Sequence, residues 1–228
     1  MNEGRSVFAQ LMEFLPHQEF QRCVKRYKAH QRIREFSCWD QFLCMAFAQL
    51  THRESLRDIE ACLRAMDSKL YHLGIRGRVS RSTLAEANEN RPWQVYADLA
   101  QTLIGIARPL YADEPFGVDL HNTVYAFDAT TIELCMSLCP WASFQRSCGG
   151  IKLHTQMDLR GSIPTFIHIS QARCNDVAVL DQLVYEPGAF YLFDRGYVHF
   201  KRLYALSQTG AFFVTRAKTN LQFTRHYS

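Results

Sequence analysis

Two aspartates stand where short apolar runs give way to small and polar residues, and they are the side chains best placed to do chemistry. Asp128 follows Val124-Tyr125-Ala126-Phe127 and precedes Ala129-Thr130-Thr131; Asp194 follows Ala189-Phe190-Tyr191-Leu192-Phe193 and precedes Arg195-Gly196-Tyr197. An apolar run without polar alternation belongs to a strand covered on both faces, as in the centre of an α/β sheet. Ligands of such sheets gather at the carboxyl ends of the strands. Two carboxylates delivered to one sheet end repel each other unless a cation lies between them. Mg²⁺ or Mn²⁺ suits that place, because hard cations take carboxylate oxygens and keep positions open for phosphate oxygens. Either aspartate alone reads equally well as an ordinary strand-end or turn residue; the matched contexts favour a shared metal site.

Other motifs follow in order. Phe127-Asp128-Ala129-Thr130-Thr131-Ile132, Lys152-Leu153-His154, Phe193-Asp194-Arg195-Gly196-Tyr197 and Phe213-Val214-Thr215-Arg216-Ala217-Lys218 together resemble the DDE transposases of bacterial insertion sequences, specifically the insertion-sequence-four family. The front of the chain resembles that family's helical leader through Ala48-Gln49-Leu50-Thr51, Ser55-Leu56-Arg57-Asp58-Ile59-Glu60 and Ser80-Arg81-Ser82-Thr83-Leu84-Ala85-Glu86-Ala87-Asn88. The resemblance covers nearly the whole chain but only the front part of the family's length.

The resemblance implies metal-dependent cleavage and strand transfer of DNA. Two Mg²⁺ (or Mn²⁺) ions about 3.5–4 Å apart would activate the attacking oxygen and stabilise the leaving one. Asp128 is then the first acid and Asp194 the second. The family's third acid is a glutamate on a later helix, inside a Tyr-Arg-Glu-Lys type motif. No Asp or Glu occurs from Arg195 to Ser228, and Glu133 and Glu186, a strand-flank and a pre-turn residue, are poor substitutes. The resemblance therefore implies a carboxy-truncated transposase with an incomplete two-ion site, inactive alone. It implies double-stranded DNA as partner, at transposon ends and target, a homo-oligomer in the full-length synaptic complex, and a place in the bacterial cytoplasm at the nucleoid.

The elements that must carry these residues divide the chain into an α+β protein. An all-helical domain, expected over residues 1–116 and read as DNA-end binding, precedes an incomplete ribonuclease H-like α/β domain with a mixed sheet over 117–228. Helices are expected from Ser6 to Leu15, around Phe20, Val24 and Tyr27, and after Ser37, where Asp40 completes a capping-box pattern. The apolar run Phe42–Leu50 places that helix at the centre of its domain. Ser55 starts a helix with the stripe Leu56, Ile59, Leu63 and Met66; Thr83 with Glu86 opens a short one after Gly74 and Gly77. That last break, flanked by Arg76, Arg78 and Arg81 and leading into Ser82 and Thr83, has the pattern of a loose helix-turn-helix and makes these five the DNA-contact candidates. Simple helical packing is the competing reading. A long helix runs from Pro92 to Leu110, and Pro109, Pro115 and Gly117 mark the linker. Beyond it come strands at Val124–Asp128, Ile151–Asp158 and Thr165–Ile169, a helix capped by Asp176, a strand ending at Asp194, a helix with Phe200, Leu203 and Tyr204 inward, and a strand at Ala211–Arg216. Lys152 and His154 share a strand face, where they either steer phosphate or sit as a sheet-surface pair. Arg195 either touches DNA phosphate or anchors its turn.

Composition sets the outer limits. With 228 residues, 47% of them hydrophobic, the chain can bury a core, and its net charge of +4 does not by itself mark a nucleic-acid binder. Arg22, Lys25, Arg26, Lys28, Arg32 and Arg34 form a basic stretch without an acid among them, either a solvated helix face or a phosphate-tracking patch. Eight cysteines without a CxxC pair, no secretory pattern and no apolar run near the ~20 residues of a membrane span lead to the expectation of a reduced, cytoplasmic protein with no membrane partner. Two other classes stay open. One is a non-catalytic DNA-binding regulator of transposition. The other is a zinc protein using Cys135, Cys139, Cys148 and His121 or His154, although that spacing fits no common zinc pattern. No GxSxG elbow supports a hydrolase.

Overall fold

Serine hydroxyls open the helices of the amino-terminal part. In the computed structural model, which describes residues 5–31, 35–114, 117, 120–134, 149–219 and 222, Ser6 caps α1 (Val7–Met12), Ser37 caps α3 (Cys38–Leu50), Ser55 caps α4 (Leu56–Ala65) and Ser80 caps α5 (Arg81–Asn90). Each accepts from the backbone N–H three residues on, which satisfies one of the free donors at a helix start. At Ser37 the capping box is complete, since Asp40 Oδ2 also accepts from the Ser37 N–H at 3.0 Å. α2 (His17–Arg26) follows Pro16. The start of α5 differs from expectation: Ser80 rather than Thr83 is the cap. Ser80 is extended (φ −93°, ψ 154°), and Thr83, already one turn inside, donates its N–H to Ser80 Oγ while the two hydroxyls share a hydrogen bond.

Contacts divide the chain into two compact units, 1–103 and 104–228. That division falls within α6 (Gln94–Leu110). Pro109 lies inside this helix, not in a linker: in the last turn, its missing N–H costs one bond near the place where the helix stops anyway.

In the first unit α3 is the centre, as its apolar sequence requires. Leu43, Cys44, Phe47 and Ala48 pack with Ile59, Leu63, Leu70, Leu73, Ile75, Val79 and Leu84, while Cys38 joins Phe20, Val24, Val95 and Leu99. Burial pushes the Cys44 thiol up to about 12, the behaviour of a small core residue and not of a reactive one. Two buried polar residues of α3 are paired. Gln41 Nε2 donates to Asn88 Oδ1 at 2.6 Å, and Arg91 donates from Nη1 to Gln41 Oε1 and the Ser37 carbonyl, each at 2.9 Å. Between α4 and α5 the chain makes a 3-10 helix, Asp67–Leu73, ended by Gly74 at φ 81°. This segment is longer than the three- or four-residue turn of a helix-turn-helix.

The second unit holds a five-stranded mixed sheet in the order β3-β2-β1-β4-β5, with β1 (Val124–Leu134), β2 (Gly149–Asp158), β3 (Ile163–Gln171), β4 (Phe190–Phe193) and β5 (Phe212–Thr215). β1, β2 and β3 form an antiparallel meander, and β4 and β5 run parallel to β1. This is the ribonuclease H-like order. β1 does not end at Asp128 as expected: Thr130, Thr131 and Ile132 suit a pleated strand, and β1 stays paired with β2 through Leu134 opposite Gly149. The face carrying Tyr125, Phe127, Tyr191 and Phe193 is covered by Val179, Leu180, Leu183, Tyr197, Leu203 and Leu206. The other face is less covered than the apolar runs suggest. Phe190 and Leu192 are half-buried, and Phe212 and Val214 are 51% and 52% exposed.

The helix after β3 is shorter than expected. α7 (Asp176–Val179) is a single turn capped by Asn175, whose Oδ1 accepts from the Val177 N–H at 3.1 Å, and a 3-10 turn (Leu180–Gln182) continues it. Asp176 is not the cap because its carboxylate turns to Lys152. α8 (Phe200–Gln208) buries Leu203 and Leu206 and leaves Phe200 and Tyr204 exposed, a correction to the expected stripe. Among the described residues no helix is long and apolar enough to cross a membrane. Ser37→Ala removes the cap of the central helix and is expected to lower the stability of the first unit by about 1 kcal/mol, measured by denaturant unfolding; an unchanged midpoint would remove the cap from the account of this unit.

Candidate functional site

Pairing between β1 and β4 decides where the two aspartates go. The parallel register runs from Val124 opposite Phe190 to Phe127 opposite Phe193, so Asp128 and Asp194 are the next residues on adjacent strands. Backbones of neighbouring strands lie about 4.8 Å apart. Both side chains are exposed, and each is held in the same way: Asp128 Oδ1 accepts the Ala129 N–H at 2.8 Å, and Asp194 Oδ1 accepts the Arg195 N–H at 2.7 Å. Among the described residues the second oxygen of each accepts no hydrogen bond.

Asp194 has a further partner that sequence reasoning assigned no role. Arg216 is the first residue beyond β5, whose Thr215 pairs with Phe193, and its Nη2 lies 2.7 Å from Asp194 Oδ1. The guanidinium, followed by the Arg195 N–H, holds the Asp194 carboxyl below the usual carboxylate range. Tyr197, at the end of the 3-10 turn Arg195–Tyr197, packs edge-on to Phe127 with ring centres 5.3 Å apart. Burial, then the carboxylates of Asp176, Asp128 and Asp194, push its phenol up, so three acids act on one buried hydroxyl. Both residues lie inside motifs visible in the sequence, but nothing local says that Arg216 reaches Asp194.

Lys152 and His154 are not placed to steer phosphate. On β2 they stand opposite Thr131 and Ala129, and Thr155 is the residue opposite Asp128, so alternation puts them on the other face of the sheet. Lys152 Nζ binds Asp176 Oδ1 at 2.8 Å and donates to the Cys174 carbonyl at 3.0 Å, pinning the start of α7. His154 is fully buried, stacked near Phe127 and bonded through Nε2 to Ser170 Oγ at 2.8 Å; burial pushes its pKa down. Arg195 anchors its turn through the backbone while its side chain stays exposed.

In the first unit, Arg76, Arg81 and Ser82 are exposed and Thr83 is half-buried. Arg78 is exposed but already bound in a fork to Asp67, with Nη2 to Oδ2 at 2.8 Å. The basic stretch also proves partly neutralised, since Arg22 pairs with Glu19 and Arg26 with Asp98; Arg32 and Arg34 lie outside the described residues. Glu186 precedes β4, at the opposite end from Asp194, and faces Arg108 at 3.6 Å. Among the described residues no group of three or more His, Cys, Asp or Glu converges as a metal site. Cys135, Cys139 and Cys148, the zinc candidates, lie outside the described residues.

The Asp194 ion pair has a testable signature. Because the folded carboxyl is depressed, the pair contributes fully above the ordinary aspartate pKa and is lost as pH falls through the depressed value. Arg216→Ala is expected to move the Asp194 titration upward, read by carbon-detected NMR; an unmoved titration would mean that the guanidinium does not hold the acid in solution.

Both parts of the chain are similar to known sequences. Residues 120–226 match the family model described as a transposase DDE domain, and residues 3–76 match a domain of unknown function (DUF4372). "Putative transposase y4zB" of Sinorhizobium fredii (strain NBRC 101917 / NGR234) is 33% identical over 138 residues, which is 60% of this chain and 37% of the relative. The chain therefore spans little more than a third of that relative's length. A solved structure, the cryo-EM structure of piggyBac transposase synaptic complex with hairpin DNA, is similar at 11% identity and a TM-score of 0.46, over 96% of this chain and 52% of that one. The sheet that carries Asp128 and Asp194 thus lies in a segment that matches a transposase DDE domain.

Proposed function

We propose that this chain carries the first two acids of a divalent-cation site for DNA cleavage and strand transfer, in a DDE transposase of a bacterial insertion sequence. The observation that carries the reading is the side-by-side position of Asp128 and Asp194 beyond paired Phe127 and Phe193. Two exposed carboxylates on adjacent parallel strands, each with one oxygen uncommitted among the described residues, suit Mg²⁺ or Mn²⁺, which take one or two carboxylates and leave the other positions to water and phosphate. When bound, the cation polarises the phosphodiester and lowers the pKa of the attacking oxygen. The chain's own part is to hold the two acids in register and bring DNA to them.

The match of residues 120–226 to a transposase DDE domain supports this reading, as does the 33% identity over 138 residues to a putative transposase. Assignment to the insertion-sequence-four family rests on the motifs around Asp128, Asp194 and Arg216. The helical domain, residues 1–116, would engage transposon-end DNA through Arg76, Arg81, Ser82 and Thr83, with Arg78 available on release from Asp67. Arg195 would meet phosphate beside the acids, in the domain from 117 onward. Strand transfer within a homo-oligomeric synaptic complex is the reaction this pair of acids would serve.

Titration of the full chain with Mn²⁺, followed by the electron spin resonance of the free ion, tests the site. Loss of a carboxylate ligand should cost at least what loss of a supporting partner does, about 10–100-fold, in both Asp128→Asn and Asp194→Asn; binding unchanged in both variants would end the metal reading. DNA contact is tested separately through salt. A protein neutralising six to ten phosphates loses about 10³–10⁵ in affinity between about 50 and 200 mM salt, so a flat response would remove DNA as the partner. Steep salt dependence without Mn²⁺ binding would instead favour a DNA-binding regulator.

A further inference from the structure

Asp194 Oδ1 is shared by two donors, the Arg195 N–H at 2.7 Å and Arg216 Nη2 at 2.7 Å. A divalent ion on this carboxylate therefore meets a resident monovalent one. Building on the metal reading above, we propose that Arg216 competes with the divalent cation for Asp194 and is drawn off by an incoming DNA phosphate, so that metal and DNA bind cooperatively.

Three observations point the same way. The Arg216 side chain is 78% exposed, and the pair joins a strand-end residue to the first residue after β5, so the guanidinium can swing without disturbing the core. Exposed pairs are weak, which makes this one easy to exchange. Arg195, whose N–H shares Asp194 Oδ1 with the guanidinium, also lines a hollow of 340 Å³ together with Gly196, Lys218 and Thr219. Two cations border that hollow, and Gly196 leaves its floor open, since a Cβ there would meet nothing within 4 Å. The ligand such a place takes is an oxyanion. A guanidinium binds phosphate through the same planar fork that binds carboxylate, so Arg216 can move from one anion to the other without loss of its hydrogen bonds. Its departure removes a positive charge from the cation's ligand, and by linkage whatever favours the cation must equally favour the phosphate.

The test measures Mn²⁺ affinity of the full chain, as free-ion resonance, for wild type, Arg216→Ala, Arg216→Lys and Asp128→Asn. Each is titrated alone, with a short DNA duplex after subtraction of the Mn²⁺ that the duplex holds by itself, and with sulfate. Without DNA, Arg216→Ala is expected to bind Mn²⁺ about three- to fivefold tighter than wild type, and Arg216→Lys, which keeps the charge, to stay close to wild type. The duplex should tighten Mn²⁺ binding in both proteins through the phosphate's own coordination of the ion, and by about three- to fivefold more in wild type than in Arg216→Ala. If sulfate reproduces the duplex effect, the hollow recognises the oxyanion; if only the duplex acts, recognition includes the DNA around the phosphate, and either result supports the exchange. Equal or weaker Mn²⁺ binding by Arg216→Ala, in a variant whose thermal melting matches wild type, would overturn it. So would a duplex effect of the same size in both proteins. If Asp128→Asn binds Mn²⁺ as well as wild type, the metal reading itself fails and takes this exchange with it.

Discussion

The parallel register between β1 and β4 is the constraint on which the candidate site depends, and aromatic packing sets it. Tyr125 and Tyr191 lie with ring centres 5.1 Å apart, Phe127 and Phe193 at 6.2 Å, and all four point into the covered face. A slip of one residue would turn this set to the opposite face of the sheet, a large loss of buried apolar surface. The carboxylates gain nothing from standing together, since like charges repel. They are brought side by side because the residues just before them are buried.

Two pairs of aspartates differ in their surroundings. Asp40 and Asp158 are buried and committed: Asp40 closes the capping box of α3, and Asp158 accepts the Arg160 N–H at 3.0 Å and faces Arg108 at 3.4 Å. Buried charge is tolerated only with such partners. Asp128 and Asp194 are exposed, and each keeps an oxygen uncommitted among the described residues. Their surroundings leave oxygens open to solvent, whereas the first pair is architectural. Arginine divides the same way. Arg91 is consumed by the Ser37 carbonyl and Gln41 in the first unit, while Arg195 and Arg216 stand at the open end of the sheet.

The buried polar side of the second unit is built around Asp176. Lys152 holds it from β2, His154 lies beneath it with Nδ1 at 4.0 Å, and Tyr197 feels its charge together with those of Asp128 and Asp194. The two basic residues that sequence alone offers to phosphate therefore serve to position the short helix α7. They still bear on the site, because Tyr197 packs on Phe127, one residue from Asp128.

What the amino-acid sequence determined by itself was whatever a few neighbouring residues decide among themselves. Ser37 with Asp40 and Ser55 before its apolar stripe name their helix starts, because a cap bond closes over three residues. Apolar runs before Asp128 and Asp194 mark strands, and the order of elements points to the mixed sheet. Only the tertiary structure decided which of two serine or threonine hydroxyls opens α5, how far β1 runs past Asp128 and whether Pro109 ends a helix. It alone placed His154 inside the sheet's covered face and Arg216 on Asp194. Those outcomes depend on partners tens of residues away, and register, burial and ion pairing between distant segments are settled by the packing of the whole unit rather than by local pattern.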